Sequence, residues 1–149
     1  MEKEYKLAEQ YHLQGNNCIE SVLKTCNDTM NLQLPDVAIR MASGMGGGIG
    51  RSGCVCGALS GACLVIGALV GRLTPDEKPL PEVYKYTSEF HDRFKEHFGA
   101  TCCRALNTLS FGTPEYRKHC IKITATAADM VSDFVAEKGD SDIVVALGF

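Results

Sequence analysis

The pattern of apolar and polar positions predicts helices along almost the whole chain. Residues 2–14 place Tyr5, Ala8, Tyr11 and His12 on one side of a helical repeat that Gly15 stops. Asn16 or Asn17 can cap the next helix. There Cys18, Val22 and Cys26 recur at spacings of four beside Ile19 and Leu23, a core-facing stripe that Cys18 enters on the first turn. A short helix is expected to begin at Pro35, its first helical residue, and to pack Ala38, Ile39 and Met41. Three prolines in residues 74–81 make a linker that cannot be helical throughout. Residues 82–98 then repeat Tyr86, Phe90, Phe94 and Phe98 every four positions, with Gly99 as C-cap. A short helix over residues 101–109 carries Cys102 and Cys103. Neighbours on a helix point about 100° apart, so one of the two faces the core. The last long helix opens with Thr113 as cap, Pro114 and Glu115, buries Tyr116, Cys120, Ile123, Ala127, Val131 and Phe134, and closes at Gly139.

Residues 44–71 organise the rest, and Arg51 is their one charge. The glycines up to residue 50 lose too much backbone entropy to hold a helix, so this part is expected to be an irregular loop. Residues 54–70 are apolar on nearly every side, with Gly53, Gly57 and Gly61 four apart, leaving a ridge where another backbone can come close. A helix apolar all round is a bundle centre or a membrane span. Its many Gly, Ala, Ser and Cys residues favour the buried helix. Cys56 is expected in its first turn, where helix N–H groups and nearby Arg51 would lower its pKa, whereas Cys63 reads as a small core residue.

Composition narrows the function classes. The 149 residues fit one domain with its own core, taken as residues 1–139 with an apolar tail at 140–149 that could dock on a second copy of the chain. The net charge of −3, without a basic run, argues against nucleic acid as a partner. The charged, amphipathic N-terminus is unlike a signal peptide, so a cytoplasmic location is expected. Eight cysteines in that setting point to metal, cluster or redox work more than to structural disulfides. Gly48, Gly50 and Gly53 match G-x-G-x-x-G but follow a helical pattern rather than a strand, and Gly50-Arg51-Ser52 lacks the Walker lysine. Neither supports a nucleotide site. His91 and His97 lie among charged residues and read as solvated.

NNCIESVL around Cys18, GGGIGRSGCVCGALSG with a C-G-A-x-x-G signature at Cys56, CRAL at Cys103 and HCIKITATAADMV at Cys120 occur in order. Together they resemble the small bacterial and archaeal family of redox-active proteins known by its C-GCAxxG-C-C motif, over roughly residues 5–135. The resemblance implies that Cys18, Cys56, Cys103 and Cys120 are the working cysteines and that Cys26, Cys54, Cys63 and Cys102 are extras. It brings a chemical class and no substrate or electron partner. Arg51, Gly50 and Gly57 are expected in support, with the glycine loop and Arg51 making an electropositive pocket beside Cys56.

The expected architecture is an all-α bundle around a buried Gly/Ala/Cys-rich helix, which can gather the four thiols near one end. Four thiolates suit an iron–sulfur cluster or zinc, and an oxidoreductase or electron-transfer role. Alternatively, a low-pKa thiol attacks a disulfide and another thiol resolves it, with no cofactor. The reading from outside redox chemistry is a partner-binding or metal-storage bundle with inert core cysteines.

Overall fold

The computed structural model describes residues 2–139. They form α1 (Glu2–Leu13), α2 (Cys18–Met30), α3 (Asp36–Ala42), a 3-10 turn (Ser43–Met45), a glycine turn α4 (Gly46–Ile49), α5 (Gly57–Val70), α6 (Leu80–Phe98), α7 (Cys103–Leu106) and α8 (Pro114–Glu137). The fold is all-helical as expected. Among the described residues the β structure is one isolated bridge, between Val55 and Cys102. No helix there is long and apolar enough to cross a membrane. The apolar tail lies outside the described residues.

α5 is the hub because it has no polar side to offer water: α2, α6 and α8 all pack on it, and Ala58, Leu59, Ala62, Val65 and Ile66 are buried. Its glycine ridge receives α2. A Cβ on Gly61 would stand 3.2 Å from Ile19 Cγ1 and Val22 Cβ, so the close approach expected from the glycine spacing is present. α6 and α8 meet through Phe90 and Phe134, edge to face with centroids 5.6 Å apart. α8 also has a second buried side, where Ala125 and Ala128 meet Ala8 of α1.

Four details differ from the sequence expectation. α5 begins at Gly57, not residue 54: residues 54–56 are held extended by Cys56 N–H to Thr101 O at 2.8 Å and Cys103 N–H to Cys54 O at 2.6 Å. Long-range backbone bonds override local pattern there. Pro35 is the N-cap of α3 rather than its first residue, and Met41 is 76 % exposed because this seven-residue helix leans mainly on α2 and the 3-10 turn. α6 starts at Leu80 and takes Pro81 into its first turn, where no intrahelical N–H bond is lost.

Thr113 caps α8 as expected, its hydroxyl oxygen accepting the Tyr116 N–H at 3.2 Å. Thr113→Ala should cost about 1 kcal/mol in a urea titration, the ordinary value of such a cap. An unchanged midpoint would mean that the interhelical packing alone sets where α8 begins.

Candidate functional site

Cys18 is placed by a cap and a turn. Asn17 caps α2 by accepting the Glu20 N–H at 3.0 Å while the Glu20 carboxylate accepts the Asn17 N–H at 2.9 Å, a complete capping box. The Asn17 side-chain amide also donates to Ser43 O at 2.9 Å, tying the helix start to the glycine segment. That segment is ordered rather than irregular. Gly47, Gly48, Ile49, Gly50 and Arg51 all have φ between +57° and +70°, so the chain makes a left-handed turn. For Ile49 and Arg51 this costs roughly 1–2 kcal/mol each. The turn brings the Gly47 N–H onto the Cys18 sulfur. Strain held at such a place is commonly coupled to function.

The Cys18 thiol is lowered to about 6. The largest cause is a hydrogen bond with the Cys120 thiol; burial opposes it, and the N–H groups of Gly47, Ile19 and Cys18 itself add to the lowering. Cys120 is the mirror of this. Its thiol is pushed far up because it donates to Cys18, is buried and faces the charge of its sulfur neighbours. The two titrate as a pair, the first proton leaving more easily than from a free thiol and the second less easily.

Cys56 corrects the sequence expectation. It is the N-cap of α5 and 7 % exposed, and burial followed by the nearby Cys18 charge pushes it up to about 12, against the opposing N–H groups of Ala58 and Leu59. Arg51 does not figure among the groups acting on it. Its guanidinium lies over the Phe111 ring, 4.3 Å from the centroid, on the cavity that Cys18 and Cys120 line. The thiol that is lowered is Cys18 on α2, chiefly by Cys120, with the helix N–H groups of Ile19 and Cys18 as smaller causes.

The four expected cysteines act electrostatically on one another: Cys56 responds to Cys18 and Cys103, and Cys120 to Cys18, Cys56 and Cys103. Cys103 lies 3.5 Å from the Tyr116 hydroxyl, which is held protonated by burial and this contact. Tyr116 was expected only as a packing residue. Its position four residues before Cys120 on α8, hence on the same face, was the available signal. Gly50 contributes its positive φ, and Gly57 contributes space: a Cβ there would overlap Cys18 Sγ. Among the extras, burial raises Cys26 to about 12 and Cys63 to about 11, while Cys54 is exposed. The first two are core residues.

All eight cysteines are free thiols. Among the described residues no group of three or more His, Cys, Asp or Glu side chains is disposed to hold a metal ion, so the sulfurs as placed do not make a ligand set for zinc or a cluster. Cys18 and Cys120 line a cavity of about 1170 Å³ between the end of α1, the glycine segment and the first half of α8.

Over residues 16–134 the chain matches the family described as "Putative redox-active protein (C_GCAxxG_C_C)". The chain belongs to this family. A protein of Archaeoglobus fulgidus, named only as an uncharacterized protein, is 30% identical over 122 residues, covering 76% of this chain and 81% of the relative. No solved structure matches. Membership in the C_GCAxxG_C_C family gives the chemical class, redox-active cysteine. This member reads Cys56-Gly57-Ala58 where the family's motif is written Gly-Cys-Ala. The inversion leaves position 57 without a side chain, in the space that the Cys18 sulfur needs.

Proposed function

We propose that the chain is a thiol–disulfide exchange protein in which Cys18 is the attacking thiolate and Cys120 the resolving thiol. The observation that carries this reading is that Cys18 and Cys120 line one open cavity, where the Cys120 thiol is the largest cause lowering Cys18 to about 6. The Cys18 thiolate attacks one sulfur of a disulfide RS–SR; that S–S bond breaks, RS⁻ leaves and a mixed disulfide forms on Cys18. Loss of the Cys18 charge removes the largest cause that holds the Cys120 thiol up. Cys120 then gives its proton to the departing thiolate, attacks Cys18 Sγ and expels the second RS⁻. The pair becomes a disulfide, the substrate gains two electrons, and an external dithiol restores the pair.

Cys56 and Cys103 take no part in this step and stay reduced. Their charge, if either ionised, would oppose a second thiolate at Cys18 and so favours one working anion at a time.

The test is anaerobic purification with iron, zinc and acid-labile sulfide analysis, followed by thiol counting before and after a disulfide oxidant. The expected result is metal-free protein that reversibly loses two thiols, with Cys18 and Cys120 joined in the peptide map. Stoichiometric metal lost on changing Cys18, Cys56, Cys103 or Cys120 to serine would replace this reading with a metal or cluster centre.

A further inference from the structure

The cavity beside Cys18 has a charge pattern that exchange chemistry alone does not require. Its wall carries Arg51, Arg117, Lys118 and Lys122 against one carboxylate, Glu9, in a chain whose net charge is −3. Among the described residues none of these four cations is in an ion pair. Arg117 is instead anchored on the carbonyls of His12 and Leu13 at the end of α1, and Arg51 on the Phe111 ring. Unneutralised cations around a concave surface focus a positive potential inside it.

The same wall holds His12, 9 % exposed, with neither ring nitrogen hydrogen-bonded. Both nitrogens are closed off from the surface, so His12 shapes the wall without presenting a polar atom to the cavity's contents. Burial, then the Arg117 charge, lowers its pKa. Phe111 and Ile121 add apolar wall, so the lining suits an organic anion better than a bare inorganic one.

We infer that this cavity binds an anionic, peptide-sized thiol compound, and that the disulfide offered to Cys18 is the oxidised, carboxylate-bearing dimer of such a compound. This rests on the exchange reading for its chemistry and on the cavity for its selectivity. The volume of about 1170 Å³ accommodates a molecule of that size. Cys18 is only 5 % exposed, so the substrate sulfur has to enter the cavity.

The probes are glutathione disulfide, which is anionic, and cystamine, which is cationic. Reduced protein should be oxidised at least about tenfold faster by the first at low ionic strength, with the preference collapsing at about 0.5 M salt and in the Lys118→Ala/Lys122→Ala variant. Binding is read separately by titrating the Cys18→Ser protein, which cannot exchange, with S-methylglutathione in a calorimeter. Saturable binding that weakens in the double-lysine background is the expected result. Binding without any exchange in the unsubstituted protein would keep the anionic ligand of the cavity and sink the exchange reading together with the disulfide role. Exchange without binding would sink the inference and keep the exchange reading.

Discussion

Replacing Gly48 by alanine is expected to destabilise the protein by about 3 kcal/mol or more, a large part of the ordinary stability of a domain this size. Two causes add. At φ +70° any Cβ is strained, and an added Cβ would stand 2.5 Å from Cys54 N, 2.6 Å from Cys54 O and 2.8 Å from Cys103 Cβ. Neither backbone atom can yield cheaply, because Cys54 N–H donates to Gly48 O at 3.0 Å and Cys54 O accepts from Cys103 N–H. Moving them would break the ties that hold the glycine turn, the entry to α5 and α7 together. Gly44→Ala is the control. Nothing lies within 4 Å of a Cβ there, and the change should be neutral or slightly stabilising. Equal urea midpoints for the two variants would mean that the turn relaxes freely and does not position Cys18.

The parts of this molecule legible in the sequence are those that one helix decides by itself. The four-residue repeat of Tyr86, Phe90 and Phe94, the Thr113 cap and the Cys18–Val22–Cys26 stripe each need only helical geometry and one buried side, and each is found. The motif likewise named the four cysteines whose charges act on one another. Which of them is activated was not legible. Cys18 and Cys56 both open helices, and the choice between them depends on the Cys120 thiol from α8 and the Gly47 N–H from the left-handed turn. Glycine spacing announces a turn but not its hand, and the two non-glycine residues in it, Ile49 and Arg51, break the local rule. The cavity was also hidden: Arg117, Lys118 and Lys122 lie together on α8, but Arg51 and Cys18 reach the same wall from distant parts of the chain.

At pH 6, the thiol that reacts first with a small alkylating reagent should be Cys18, and its reactivity should titrate with a midpoint near 6. A thiol at about 6 holds roughly a hundredfold more thiolate at that pH than an unperturbed one. Lower basicity reduces its nucleophilicity by roughly tenfold, leaving an advantage of about tenfold. Cys56, pushed up to about 12, should stay unlabelled throughout. Cys120→Ala removes the largest cause of the lowering, so the midpoint should move up toward the free-thiol range; a full return would cut labelling at pH 6 by about tenfold, the thiolate loss partly offset by the gain in nucleophilicity. Gly57→Ala should act in the same direction by driving the Cys18 sulfur from its N–H groups. The same linkage reaches stability. Because the folded-state value of Cys18 lies below that of a free thiol, its contribution is fully present above the free-thiol range and is lost as pH falls through about 6. The raised Cys56 works the other way, its contribution being lost as pH rises through about 12. Cys18→Ser should therefore abolish the fast labelling and flatten the rise in stability between about pH 6 and 9. Peptide mapping that puts the first label on Cys56, or a Cys18 midpoint unmoved in Cys120→Ala, would remove the hydrogen-bonded pair from the mechanism.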